Sequence, residues 1–197
     1  MTHNKIQVPV VPQDLHIHTT FSTGDSAVVP EQTVEFIASV GHARSVGISD
    51  HFEYLVDTFD TYRNTVKKHG LYPGTEVDGA ALADEAAGMP FEYYMYHCRN
   101  TDEDYRGLEV LLASGRPVIV AHPQVFETDL SKVPPETLIE INNRYVWRND
   151  WRRYYTPWLD SFNFVIGSDA HQPGWLGQAV ARYVAAELGV EEYLVFG

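Results

Sequence analysis

Seven short apolar or β-branched runs, each bounded by Gly, Pro or Asp, constrain the fold of this chain more than any other feature. They are LHIH (15–18), SVGIS (45–49), LYPGTEV (71–77), FEYYMYH (91–97), PVIVAH (117–122), LIEIN (138–142) and FNFVIGS (162–168), and runs of this length and make-up read as strands. Between them lie segments with helical spacing. Pro30 marks one helix start, followed by Val34, Ile37 and Ala38; Tyr105, Leu108, Leu111 and Leu112 mark a second; Leu176, Ala179, Val180, Tyr183 and Val184 mark a third. Such alternation predicts an α/β fold of parallel strands with helical crossovers, and seven strands suit a barrel related to the (β/α)8 type better than the alternative, an open doubly wound sheet. LIEIN also reads as a helical turn, since Pro134 and Pro135 precede it.

No repeat, low-complexity tract or Gly/Ser linker breaks the 197 residues, so a single domain over 1–197 is expected. With 44% hydrophobic and 21% charged residues the chain is globular in composition. Its net charge of -13 opposes unassisted binding to duplex DNA. Cys98, the only cysteine, excludes an intrachain disulfide framework and fits a reducing compartment. The opening MTHNKIQVPVVPQDLH lacks a signal-peptide core, and no apolar run approaches membrane-spanning length. A cytoplasmic protein without a membrane partner is the expectation.

Nine histidines are the unusual feature of the composition. His16 and His18 alternate with Leu15 and Ile17, so on a strand both imidazoles face one side and the aliphatic side chains the other. Five further clusters with ligand chemistry close predicted strands: Asp50-His51, Glu76, His97, His122 and Asp169-x-His171. At the carboxyl ends of parallel strands these side chains converge on one mouth. They exceed one ion's needs, and imidazole with carboxylate suits Zn, Mn or Fe rather than Mg, Ca or a cysteine-rich structural zinc site. Two or three divalent ions are the economical reading.

DLHIHTTFS, GISDH, GTEVDG, the His97 strand, VIVAHP and GSDAH together resemble, in order and spacing, the motifs of the polymerase and histidinol phosphatase (PHP) family, from Asp14 to about Gly177. The resemblance implies a distorted (β/α)7 TIM-like barrel with a di- or trinuclear metal centre that hydrolyses phosphoesters; the family includes histidinol phosphatases, nucleotide phosphoesterases and domains of bacterial DNA polymerases. It makes His16, His18, Glu76 and Asp169 ligands of one ion and Glu76, His97 and His122 ligands of a second, with Glu76 bridging. His51 and His171 would hold a third ion, for which the family usually supplies a His or Asp five or six residues after the second His of HxH. Thr23 and Gly24 stand there, and Asp25 one residue later, so either the loop bulges to bring in Asp25 or the third site is incomplete.

Adjacent divalent ions activate a bridging water and neutralise the charge of in-line displacement, so no protein nucleophile is needed. Glu76 would be catalytic through its bridging, and His51, His171 or a bound water would protonate the leaving group. Asp14 and Asp50 read as acceptors that orient neighbouring ligands, or as loop caps. Arg99, two residues beyond His97, is expected to present its guanidinium to a substrate phosphate, with a surface salt bridge as the alternative. Lys67, Lys68 and His69 read as a solvated helix end, Cys98 as a buried inert thiol, and His3 and His42 fall outside every motif. The segment 145–158, with six aromatics and Arg148, Arg152 and Arg153, suits base stacking, a helix covering the barrel or a subunit contact.

The function expected is therefore a metal-dependent phosphoesterase, a phosphatase or nucleotide phosphodiesterase acting on a small phosphorylated molecule. The alternatives are a nuclease acting on single-stranded nucleic acid, an amidohydrolase-type enzyme, whose bridging group is commonly a modified lysine where GTEVDG offers a carboxylate, and a non-catalytic metal-bound interaction domain.

Overall fold

Eight strands and six helices alternate in the computed structural model, which describes residues 10–197; His3 lies outside them. The strands are β1 (Val11–Asp14), β2 (Ala43–Ile48), β3 (Tyr72–Pro73), β4 (Thr75–Val77), β5 (Tyr94–Tyr96), β6 (Val118–Val120), β7 (Leu138–Asn142) and β8 (Asn163–Gly167). The helices are α1 (Val34–Val40), α2 (Phe59–Lys68), α3 (Ala83–Ala87), α4 (Asp102–Ala113), α5 (Trp151–Tyr155) and α6 (Ala179–Leu188). Every strand pair is parallel. The fold is α/β, as the alternation of runs predicts.

The strands form two sheets, β1-β2-β3 and β4-β5-β6-β7-β8, rather than one closed sheet of seven. The run LYPGTEV supplies two strands because its pairing changes at Gly74. The ring of Tyr93 lies where a Cβ of Gly74 would be, and its hydroxyl donates to the Leu15 carbonyl at 2.7 Å. A side chain at 74 would displace that ring from the seam. The sheets meet through two isolated parallel bridges, Ile17 with Ala170 and His51 with Glu76. Both bridges involve candidate site residues or their immediate neighbours.

Two layers of apolar side chains hold the arrangement. Leu15, Tyr93, Met95, Ile119, Ala121, Leu138 and Val165 form a small cluster on one face of the strands, and a larger one, including Tyr94, Tyr96, Val118 and Val120, packs against the helices. Successive residues of β5 and β6 thus alternate between the two clusters, as the two-residue period of a strand demands. LIEIN is strand β7, buried along its whole length, and packs between β6 and β8. Regular pairing of β1 ends at Asp14, so Leu15 and Ile17 fall in different clusters instead of sharing a face.

Helix starts follow their caps more than their apolar spacing. The Thr33 hydroxyl accepts from the Phe36 amide and starts α1 at Val34, four residues after Pro30, with residues 30 and 31 in a turn. Thr101 does the same for α4, whose first turn carries Asp102, Glu103 and Asp104. α6 starts at Ala179 rather than Leu176, where Asn143 Oδ1 accepts from the amides of Val180 and Ala181. This ties the helix to the segment leaving β7. Among the described residues no helix is long and apolar enough to cross a membrane.

Candidate metal centre

Parallel strands bring their carboxyl ends to one side, and the candidate ligands follow those ends. His16 and His18 follow β1, His51 follows β2, Glu76 lies in β4, His97 follows β5, His122 follows β6, and Asp169 and His171 follow β8. Glu76 is the hub. Its Oε1 lies 2.6 Å from His97 Nε2, 3.1 Å from His16 Nε2 and 3.3 Å from His122 Nε2. Its Oε2 lies 3.2 Å from His51 Nδ1 and 3.3 Å from His18 Nε2. Asp169 Oδ1 stands 3.3 Å from His171 Nδ1 and 3.8 Å from His16 Nε2.

Four overlapping groups have ligand atoms all within 4.8 Å of one another: His16, His18 and Glu76; Glu76, His97 and His122; His16, His122 and Asp169; and His18, Asp25, His51 and His171. The 22–25 turn, with the Asp25 amide donating to the Ser22 carbonyl at 3.0 Å, carries Asp25 to the cluster. Asp25 Oδ2 reaches His171 Nε2 at 2.9 Å and His51 Nε2 at 3.5 Å, while Oδ1 accepts from the Ala27 amide. The loop thus accommodates the extra residue. His18 stacks on His171 with ring centroids 4.1 Å apart and also joins this group, which its place in HxH did not announce.

The donor set fits divalent ions. Among the described residues, Nε2 of His16, both ring nitrogens of His18, Nδ1 of His51 and Nδ1 of His122 are buried without a hydrogen-bond partner. Several lie near Glu76 but out of line for a hydrogen bond. Unpaired buried polar atoms are costly, and so many imidazole nitrogens around one carboxylate fit cations. Local backbone supports the same reading, since His122 and Asp169 adopt φ of 29° and 56°, the sparsely populated left-handed region. Such strain gathers at ligand clamps.

The buried groups of the cluster shift one another's titration. Burial alone would raise the Glu76 pKa, yet the positive fields of His97 and His16 outweigh it and hold the carboxyl well below its ordinary range. Burial opposes charge on His97, but Glu76 and Asp78 push its pKa up to about 9. On His18 burial prevails, and its pKa is lowered with help from His171 and His51. Asp25 is held at about 2, first by its hydrogen bond to His51.

Carboxylates behind the ligands aim them. Glu140 Oε1 lies 2.8 Å from His16 Nδ1, and its Oε2 accepts from the His122 amide at 2.7 Å and from Asn142 at 3.0 Å. A Cβ at Gly167 would collide with Glu140 Oε1, so only glycine lets the carboxylate approach. Asp78 Oδ1 lies 3.0 Å from His97 Nδ1. Asp50 accepts from the Thr19 amide and hydroxyl and from Ser22, organising the loop after His18; burial pushes its pKa up to about 6 despite these bonds. Asp14 accepts from the Ser168 amide at 3.0 Å and meets His42 Nε2 at 3.1 Å, bringing that histidine into contact with the site's supports.

A cavity of about 280 Å³ opens over the cluster, with His51, Glu76, His97, His122, Asp169 and His171 exposed to it and Phe126, Arg144 and Tyr145 on its walls. Arg99 is not on that wall. Its guanidinium donates to Asp78 at 2.5 Å and lies over Phe126, so it reaches His97 only through Asp78. Arg144 takes the position expected for Arg99, with Nη1 3.5 Å from Asp169 Oδ1 and 3.3 Å from His171 Nδ1.

Glu140, Asp78 and Arg144 were not evident as site residues in the sequence. The first had a signal, a lone acid between Ile139 and Ile141 in an otherwise apolar strand, which burial obliges to find a partner. Cys98 is fully buried, and burial raises its thiol to about 12. In the 145–158 segment Trp151, Tyr154 and Trp158 pack on the core while Trp147 is exposed. A larger cavity of about 680 Å³, lined in part by Gln124, Leu130, Tyr154 and Trp158, contains none of the candidate ligands.

No protein-family model matches the chain. It is 40% identical over 80 residues to "DNA polymerase III PolC-type" of Oceanobacillus iheyensis; the match spans 41% of this chain and 5% of the polymerase. In structure it is similar to a truncated form of 3-deoxy-D-arabino-heptulosonate 7-phosphate synthase from Thermotoga maritima, at a TM-score of 0.50 and 15% identity, covering 90% of this chain and 72% of the synthase. That likeness concerns the fold alone.

Proposed function

We propose that this chain is a metal-dependent phosphoesterase that hydrolyses a small phosphate ester. The observation that carries the reading is the Glu76 carboxylate, met by five imidazoles within 3.3 Å, several with unpaired nitrogens. The ordered PHP-like motifs support it, and so does the partial match to a PolC-type polymerase, since the family includes domains of bacterial DNA polymerases. We read the two bridged sheets as one distorted (β/α)7 barrel within a single domain.

His16, His18, Glu76 and Asp169 would hold one ion, Glu76, His97 and His122 a second, and Asp25, His51 and His171, with His18 beside them, a third. Bound Zn, Mn or Fe would supply the positive charge that holds phosphoryl oxygens and the activation of water that hydrolysis needs at neutral pH. Arg144, on the cavity wall beside Asp169 and His171, offers the planar fork that suits a phosphate. Phe126 and Tyr145 narrow the cavity and limit water. His51 and His171 also face the opening; as ligands of a third ion they would not be free to protonate a leaving oxygen, and either is the candidate acid only where that ion is not bound.

The test is metal analysis of the chelator-stripped and reloaded protein, followed by a screen of phosphorylated metabolites. About two or three ions per chain and turnover that depends on them are expected. A protein that takes up no ion, or that takes up ions and hydrolyses no phosphate ester, would exclude the reading.

A further inference from the structure

The two sheets contribute unequally to the metal centre. Glu76, His97 and His122, which would hold the second ion, all come from the five-stranded sheet, in β4 or just after β5 and β6. A ladder of backbone hydrogen bonds joins those three strands. The other two ligand sets draw on both sheets. His16, His18, Asp25 and His51 follow β1 and β2 of the three-stranded sheet, whereas Glu76, Asp169 and His171 belong to the five-stranded one. Their geometry depends on how β1 lies against β8, two edge strands with no ladder between them. At the ligands themselves the seam is closed by backbone bonds, with the Asp169 amide donating to the His16 carbonyl at 2.8 Å and the His18 amide to the Ala170 carbonyl at 2.9 Å.

Along the strands, side-chain amides take the ladder's place. Gln178, buried just before α6, donates through Nε2 to the Gln13 carbonyl of β1 at 2.9 Å and to the Ile166 carbonyl of β8 at 3.1 Å, while its Oε1 accepts from Arg182. One NH2 group thus ties two strand edges at a fixed separation. Gln13, also buried, makes a second crossing: its Nε2 donates to the Tyr193 carbonyl at 2.6 Å and its Oε1 accepts from the Val195 amide at 3.0 Å, and the Tyr193 amide donates to the Phe164 carbonyl of β8 at 2.7 Å. Phe196 anchors this segment on the three-stranded sheet, stacked on Tyr72 with ring centroids 3.9 Å apart and its carbonyl accepting from Ser45. We infer that Gln178, seconded by Gln13 and the 193–196 segment, is a positioning residue that sets β1 against β8 and with them the two ligand sets that span the seam. The set of Glu76, His97 and His122 is independent of it. The inference rests on the metal-centre part of the proposed function and adds which of its ions the fold can lose separately.

Amide hydrogen exchange of the chelator-stripped protein is the first test. Gln178→Met keeps the size of the side chain and removes the donor, so exchange at the His18 and Asp169 amides should speed up about tenfold or more. The His97 and Ala121 amides, bonded to Val77 and Tyr96 within the five-stranded sheet, should change by less than about twofold. Gln13→Ala, which cuts the second crossing, should act in the same direction and carries the test if Gln178→Met does not fold. On reloading with zinc, competition with a chelator should show the seam-spanning ions bound about tenfold or more weakly and the ion of Glu76, His97 and His122 retained. Unchanged exchange, equal acceleration at all four amides, or equal weakening of every ion overturns the inference. If the seam amides respond as expected and the wild-type chain takes up no ion, the role of Gln178 in setting the seam stands and the phosphoesterase reading falls.

Discussion

The two ends of the histidine cluster are built differently. At the inner end, His16, His18, Glu76 and His122 are buried and lie in a strand or within four residues of its end, and Glu140 contacts His16 and the His122 amide. At the outer end, Asp25 and His51 are partly exposed, and Asp25 arrives on a loop that no strand directs. Both ends present several ligand atoms within reach of one another. A buried group with oriented carboxylates behind it keeps its geometry without ions, whereas a loop-borne ligand depends on a turn and on its partners. The inner end therefore has the build of a preformed site, and the outer end that of one which would gain or lose an ion without disturbing the fold.

The strongest way to break this contrast is Glu76→Gln. Loss of the shared charge should lower turnover by at least about a hundredfold, more than removal of a supporting partner does, with metal content reduced at the inner end. Full metal content and near-normal rates would mean that Glu76 is not the hub. Glu140→Gln comes next. It keeps the volume but replaces an acceptor facing His16 with an amide, so metal affinity should fall about ten- to a hundredfold, measured by competition with a chelator. An unchanged affinity would place the support of the inner end elsewhere.

Two arginines sharpen the comparison at the cavity wall. Arg144→Ala should cost about ten- to a hundredfold in kcat/KM, the loss of one charge-assisted hydrogen bond. Arg99→Ala removes an exposed ion pair with Asp78, which is worth less than about 1 kcal/mol, and should change kcat/KM by less than about fivefold. The reverse order would restore the phosphate role that position 99 suggests in the sequence. The smallest effect belongs to Asp25→Ala, which should remove about one ion per chain while shifting Tm by no more than about 2–4 °C, equivalent to about 1 kcal/mol in a chain of this size. An unchanged ion count from elemental analysis would take Asp25 out of the outer site.

Much of the site was legible because its elements are local. The strand endings that carry His16, His18, His51, Glu76, His97, His122, Asp169 and His171 stand out as apolar runs closed by ligand-type residues, and parallel strands send such endings to one side. The whole of LIEIN was legible as an apolar run, but its central Glu140 was hidden by the strand reading. Arg99 shows the opposite error. Two residues after His97 it was expected on the ligand's face, but β5 ends at Tyr96, and beyond that point the two-residue period no longer governs where a side chain goes.

The alternation of strands and helices, and with it the arrival of a histidine and carboxylate set at one end of the fold, follows from local sequence alone. Those properties depend on periods of a few residues and on chain direction. Long-range packing sets the rest: LYPGTEV splits around the Tyr93 ring, two single bridges join the sheets, the 22–25 turn delivers Asp25 to His171, and Arg144 rather than Arg99 lines the cavity. Each of these contacts joins residues far apart in the chain or beyond the end of a regular element. Register, close approach and packing settle such contacts, and no local pattern encodes them.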